Sequence, residues 1–253
     1  MKTIGCCDSG LGGMLVVDAL HKAYPNLDIV YVADQKNVPY GDKSVDELIE
    51  LARNMFQYFR QQGIKDVVVA CNTLCANAVE KLRNDFPDLN IYSIIGPTCA
   101  QLEGEDYKKI GVLATKKTVE SHAYLKEINK YCPQAEVFEV AAPKLVPIIE
   151  SGCNYHELKK AVQEYCIKDI DAWVLGCTHF PYIRPILEID YDLYDSNDAV
   201  INLFKDIEMT GSGNVSVYTT GNYIEMKKSI RTLLCKDYNV YPLVLEKLKI
   251  KAC

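Results

Sequence analysis

At 253 residues the chain is long enough for two domains of roughly 100–130 residues each. With 49% hydrophobic and 25% charged residues its composition is globular rather than disordered, and no apolar run approaches the roughly 20 residues that span a bilayer. A net charge of −6 without a Lys/Arg cluster excludes an electrostatic footprint for nucleic acid, and Asp8 interrupts the N-terminus before a signal-peptide core could form, so a cytoplasmic protein is expected.

Strands and helices alternate along the chain. A strand over residues 3–7 ends in the glycine-rich turn Asp8-Ser-Gly-Leu-Gly-Gly13, and the helix after it runs to about Tyr24, before Pro25. A second strand covers residues 28–33. An amphipathic helix over residues 46–62 ends at Gly63, a common C-terminal signal. Residues 65–70, with three consecutive valines, read as a buried strand. Residues 74–85 return as a helix, and residues 90–95 form a strand followed by Gly96-Pro97. Strands this uniformly apolar, in β–α order, imply a parallel sheet covered on both faces.

The pattern then restarts. A strand at residues 109–114 precedes a helix from Lys117 that carries Ser121 and His122. A strand at 135–140, helices at 145–151 and 155–167, a strand at 172–175 and another at 190–194 follow, the last ending in Asp195-Ser196. A strand at 215–220 and a helix at 223–234 have no counterpart in the first unit and are expected to pack back on the first half.

Two segments read as copies of each other: Asp66-Val-Val-Val-Ala-Cys71-Asn72-Thr73 and Asp171-Ala-Trp-Val-Leu-Gly-Cys177-Thr178-His179. Their cysteines are offset by 106 positions, and Ile4-Gly5 and Ile110-Gly111 share that offset. One offset for both pairs indicates a duplicated α/β unit. The expected fold is α/β: two similar domains with mainly parallel sheets flanked by helices, related by a pseudo-twofold axis. Residues 1–96 plus 206–253 form the first domain and residues 97–205 the second, with the active site in the cleft between them.

Eleven cysteines, an odd number scattered over the chain, fit a reducing compartment better than a disulfide framework. Cys71-Asn-Thr-Leu-Cys75 lacks a second ligand pair, so no metal site is expected. Cys6, Cys75, Cys99, Cys132, Cys153, Cys166, Cys235 and Cys253 read as small apolar fillers or surface thiols, and Cys7 as a core residue. In open parallel sheets ligands collect at the carboxyl ends of the strands. Asp8-Ser9, Asp34, Cys71-Asn72-Thr73, Thr115, Cys177-Thr178-His179 and Asp195-Ser196 all fall there. The glycine-rich turn fails the dinucleotide spacing, and Asp8 would repel a pyrophosphate. Its glycines instead allow close backbone approach to a small ligand. His21, His122 and His156, in helical stretches, read as surface residues.

Five ordered motifs carry a family resemblance: Asp8-Ser9-Gly10, Val38-Pro39-Tyr40-Gly41, Ala70-Cys71-Asn72-Thr73, Leu145-Val146-Pro147 and Gly176-Cys177-Thr178-His179. They resemble those of the cofactor-independent glutamate racemases from about residue 3 to Ser196, and Tyr218-Thr-Thr-Gly221 extends the likeness into the tail. The resemblance implies that Cys71 takes the α-proton from D-glutamate and Cys177 from L-glutamate, assisted by Asp8 and His179 respectively. It implies that Ser9, Pro39, Tyr40, Gly41, Asn72, Thr73, Thr115, Thr118 and Thr178 bind substrate. It further implies no cofactor, no metal, glutamate as the small-molecule partner, a homodimer as a frequent assembly, and a role in supplying D-glutamate for peptidoglycan.

The chain also departs from the family pattern. Ala33-Asp34-Gln35 stands where Gly-Asp-Thr is usual, Ala114-Thr115 where Gly-Thr is more frequent, Ala141-Ala142-Pro143 where Ala-Cys-Pro is common, and Phe180 where tyrosine is frequent. Related aspartate racemases usually carry Glu after Cys-Thr, so His179 favours glutamate. Because the first strand begins at Thr3, an N-terminal extension, and with it activation by a cell-wall precursor, is not expected.

The chemistry can be argued from the residues themselves. A weakly acidic Cα–H needs a positioned base, and two-base inversion begins with one thiolate and one thiol. Helix N-termini after both cysteines, and His179 beside Cys177, are expected to favour thiolate formation. Asn72, Thr73 and Thr178 offer donors for charge developing on the substrate carboxylate. No lysine signature suggests a pyridoxal Schiff base. Two other readings stand beside this one: a racemase for aspartate or another acidic amino acid, and a non-catalytic amino-acid-binding protein on the same scaffold.

Overall fold

The computed structural model describes residues 1–152, 154–187 and 190–245. Cys153 and Cys253, read above as filler or surface thiols, lie outside the described residues. Ten strands are present among those described: β1 (Thr3–Asp8), β2 (Asp28–Ala33), β3 (Asp66–Val69), β4 (Asn90–Ser93), β5 (Lys109–Ala114), β6 (Glu136–Ala141), β7 (Ala172–Gly176), β8 (Asp192–Tyr194), β9 (Val215–Thr219) and β10 (Asn239–Pro242). They form a six-stranded sheet in the order β10-β9-β2-β1-β3-β4 and a four-stranded sheet in the order β6-β5-β7-β8. Every pairing is parallel.

The duplication read from the sequence recurs in the pairing. Each sheet runs second, first, third, fourth strand of its unit. Gly5 lies opposite Val67 in the first sheet, and Gly111 opposite Trp173 in the second, so the 106-residue offset holds on both partners. The central strands are buried along almost their whole length, as sheets covered on both faces require.

One face of the first sheet packs Ile4 and Val217 against Met14, Val17 and Leu20 of the helix Gly13–Ala23 and Met226 and Ile230 of the helix Tyr223–Leu234. The other packs Val67 and Val69 against Met55, Phe56 and Phe59 of the helix Val45–Gln61. That helix starts with a reciprocal capping box between Ser44 and Glu47. In the second sheet, Leu113, Trp173 and Leu175 line one face, and Ile110, Val112 and Val174 meet Tyr124 and Ile128 on the other.

Several boundaries differ from the sequence reading. The helix expected from Lys117 is two helices, Lys116–Ser121 and Ala123–Tyr131. His122 breaks it in a left-handed conformation (φ 55°), with an exposed imidazole on Glu139 at 2.6 Å. The helix expected at 74–85 divides at Ala78 into Asn72–Asn77 and Val79–Asp85. β4 stops at Ser93 because Ile95–Ala100 is helical, with Pro97 in the first turn, where its missing N–H costs nothing. The tail strand β9 joins β2, as expected, and β10 extends the sheet beyond it. The helix Ser196–Asn202 was not anticipated, and Val200 and Phe204 belong to the core of the first sheet. No helix among the described residues is long and apolar enough to cross a membrane.

The glycines at the shared offset have a packing reason. A Cβ on Gly5 would lie 2.8 Å from the Phe59 ring, and one on Gly111 would fall within the Trp173 indole. Gly111→Ala is therefore expected to destabilise the protein by about 1–3 kcal/mol, the usual cost of overpacking. Urea unfolding should show a lower midpoint at an unchanged m-value.

Candidate active site

Each functional segment leaves the carboxyl end of a strand. β1 delivers Asp8 and Ser9. β3 runs through Ala70 into Cys71, which occupies the N-cap position of the helix Asn72–Asn77. β7 ends at Gly176, one residue before Cys177. Parallel strands of two facing sheets bring these ends to one small cavity of about 40 Å³. Both cysteines line it, with Ser9, Pro39, Tyr40, Gly41, Asn72, Thr73, Thr115, Thr178 and His179. Two anticipated residues stand behind the wall. Asp8 is fully buried and accepts the Thr178 hydroxyl at 3.3 Å, while Thr118 bonds Thr115 at 3.0 Å. The cavity also takes in Val38, Asp42, Lys116, Ala142, Pro143 and Val146, which had no assigned role.

The glycine-rich turn does something other than expected. Asp8 Oδ2 accepts the backbone N–H groups of Gly10 and Gly13, both at 3.1 Å, which folds the turn over the start of the helix. A Cβ on Gly12 would lie 2.6 Å from Thr178 Oγ1 and 2.7 Å from His179 Nδ1. The close approach is made by side chains of the second half, not only by space for a ligand.

Hydroxyl and amide groups stitch the two halves around the cavity. Thr73 and Thr115 meet at 3.0 Å. Tyr124 donates to Asn72 Oδ1 at 2.5 Å, which fixes the amide with its Nδ2 buried and without a protein partner. An oriented donor with unused capacity on a cavity wall is suited to a carboxylate.

The two thiols have different surroundings. Burial, then the neighbouring Asp8 carboxylate, pushes the Cys71 thiol well above its ordinary value, and the Leu74 N–H opposes this without prevailing. The expected thiolate-favouring effect of the helix N-terminus is therefore outweighed at Cys71. Cys177 Sγ lies 3.7 Å from His179 Nδ1, and His179 Nε2 lies 2.7 Å from Glu150 Oε1. Burial works against the His179 imidazolium, but the hydrogen bonds to Cys177 and Glu150 hold it well above its usual value. Burial likewise opposes ionisation of Glu150, and His179, Gln35 and the Leu11 N–H together bring it below its usual value. Asp8 is raised by burial, with His179 and the two glycine N–H groups acting the other way.

Glu150 was missed by the sequence reading. One signal was present: it ends the helix Leu145–Glu150, where a carboxylate opposes the helix dipole. Among the described residues no group of three or more His, Cys, Asp or Glu side chains has the geometry to hold a metal ion.

Residues 15–204 match the model of the Asp/Glu/Hydantoin racemase family. The chain belongs to this family. A glutamate racemase of Aquifex aeolicus is 34% identical over 243 residues, covering 92% of this chain and 94% of that protein. The glutamate racemase of Francisella tularensis in complex with D-glutamate superposes with a TM-score of 0.87 at 25% identity, covering 98% of this chain and 99% of that one. A Bacillus anthracis glutamate racemase isoform gives 0.86 at 28% identity, covering 96% and 98%. Both likenesses extend over the tail as well as the two repeated units, so the racemase fold includes β9 and β10.

The contact with Glu150 gives a direct test. Glu150→Gln removes the carboxylate that supports the imidazolium, so the His179 titration midpoint should fall in a proton NMR titration. The folded-state pKa of His179 lies above its unfolded value. Its contribution to stability is therefore complete below about pH 6.5 and is lost as pH rises through the folded-state pKa. Denaturant midpoints of wild type and Glu150→Gln should differ most between about pH 4.5 and 6.5, where Glu150 is ionised and His179 protonated, and converge at high pH and in strong acid.

Proposed function

We propose that this protein interconverts L- and D-glutamate without a cofactor, through Cys71 and Cys177 acting on opposite faces of Cα. The observation that carries this reading is the placement of two thiols, from corresponding strand ends of the two sheets, on one cavity. The names of relatives that align over nearly the whole chain, among them two Aquifex glutamate racemases 34% and 33% identical and the Francisella tularensis structure with D-glutamate, support the substrate.

The asymmetry of the thiols suits one direction first. Cys71 is held as the thiol, and His179 as imidazolium would stabilise a thiolate at Cys177. The Cys177 thiolate takes the Cα proton of L-glutamate, leaving a planar carbanion. Cys71 delivers its proton to the opposite face, giving D-glutamate, a Cys71 thiolate and a Cys177 thiol. D-Glutamate then runs the sequence in reverse. Asp8, raised and facing Cys71, assists proton transfer on that side, and His179 does so for Cys177. Asn72 Nδ2, Ser9, Thr73 and Thr178 hold the α-carboxylate as charge develops, with Pro39, Tyr40, Gly41 and Thr115 completing the pocket and Thr118 holding Thr115 from behind. The same reading makes the protein a cytoplasmic source of D-glutamate for peptidoglycan, and a homodimer that light scattering would detect.

Cys71→Ala and Cys177→Ala should each abolish racemisation in a folded protein, because each thiol serves one face. Circular dichroism of the product and Cα exchange in D₂O measure this. A variant with half the wild-type rate in both directions would exclude two-base inversion.

Substrate choice gives a second test. Hydroxyl and amide groups from both halves hold the two carboxylates of glutamate a fixed distance apart, and aspartate, one methylene shorter, cannot reach both sets while keeping Cα between the thiols. One methylene is worth about 1–3 kcal/mol in discrimination, and misplacing Cα adds to it because proton transfer needs near-attack geometry, so kcat/KM for glutamate should exceed that for aspartate by at least roughly 100-fold. Equal rates would point to a different acidic substrate.

A further inference from the structure

Gln35 belongs to none of the site motifs and is one of the departures from the family pattern noted above. It opens the short turn Gln35–Asn37 just after β2. Its Nε2 donates to Glu150 Oε2 at 2.9 Å, reaching from the first half of the molecule to the second. The other carboxylate oxygen, Oε1, takes the His179 contact at 2.7 Å and the Leu11 N–H at 3.1 Å. A continuous relay therefore runs from Gln35 through Glu150 and His179 to Cys177.

The surroundings are built to hold this amide in place. A Cβ on Gly10 would lie 2.9 Å from both Gln35 Oε1 and Glu150 Oε1, and one on Gly221 would lie 2.9 Å from Gln35 Cβ. The tail anchors the turn: Thr220 Oγ1 accepts the Lys36 N–H at 3.0 Å and donates to Asp34 Oδ1 at 2.8 Å. Gln35 Oε1 is buried without a protein partner, so the amide gives up one of its own bonds to present Nε2 to Glu150. A threonine, usual at this position in the family, would carry its donor two bonds short of Nε2.

We infer that Gln35 is a positioning residue for the Cys177 half-reaction, holding Glu150 ionised and aimed at His179 when the two halves are together. This rests on the two-thiol reading above. The donor favours the carboxylate form of Glu150, so its removal makes Glu150 easier to protonate. The consequence is a loss of activity confined to low pH.

The test uses Gln35→Met, which keeps the length without the donor, and Gln35→Glu, which sets a second carboxylate against Glu150. In both, the acid limb of kcat for L-glutamate should move to higher pH, by at least about half a unit for Met and further for Glu. Rates at pH 8.5 should match wild type, while rates on the acid limb should fall at a given pH by about threefold for Met and further for Glu, the loss that a shift of that size produces. Carboxyl-carbon NMR, with the Glu150 signal assigned by its absence in Glu150→Gln, should show the same upward shift without turnover. A uniform loss at every pH, or unchanged Glu150 titration in either folded variant, would overturn the role of Gln35. If the wild type has no racemase activity, the functional reading fails, while the NMR titration still decides the link between Gln35 and Glu150.

Discussion

Two thiols can act on opposite faces of one carbon only if the two sheets that carry them are held in fixed relation. That constraint falls on a seam of polar contacts between the halves. Thr178 reaches Asp8, Thr73 meets Thr115, Tyr124 reaches Asn72, and Glu150 takes donors from Leu11 and Gln35. Each bond joins a strand-end segment of one unit to an element of the other. These groups are mostly buried, and an unpaired buried polar group costs about 1–3 kcal/mol. Separation that let water reach the seam would reduce this cost, so the polar seam supplies orientation more than net adhesion.

The same seam sets the electrostatics. Asp8 and Glu150 are both acidic and both close to the reaction centre, yet their environments push them apart. Asp8 is raised because burial outweighs its donors, whereas Glu150 is lowered because its donors, among them the imidazolium, outweigh burial. Separation of nominally equal groups by their surroundings is how one site obtains an acid and a base at neutral pH. It also distinguishes the two cysteines, which the duplication would otherwise leave equivalent: Cys71 faces Asp8, and Cys177 faces His179.

Glycine serves this arrangement through space rather than flexibility. Gly5 and Gly111 admit the aromatic rings that cover the sheets, and Gly12 admits the Thr178–His179 segment against the first turn. The glycine-rich turn therefore acts chiefly as a docking surface for the second half. Its likeness to a phosphate-binding loop ends at Asp8, whose carboxylate occupies the turn's own N–H groups.

The alternation of buried strands, the shared 106-residue offset and the segments Cys71-Asn72-Thr73 and Cys177-Thr178-His179 were legible in the sequence, because strand burial and strand-end chemistry are local properties. These were enough to anticipate an α/β fold with parallel sheets and a cavity lined by Cys71 and Cys177. The break at His122, the helix Ser196–Asn202 and strand β10 were not legible, since a left-handed residue, a seven-residue helix and a short edge strand leave little periodic signal. Glu150 and Gln35 lie 115 positions apart and outside any motif. Only the tertiary structure places them in contact, because a bond between two surface-like side chains is decided by how the sheets face each other. The sequence thus determined which thiols stand at corresponding strand ends, and the folded structure decided that they share a cavity and which groups surround them, since those surroundings depend on burial and distance rather than on residue order.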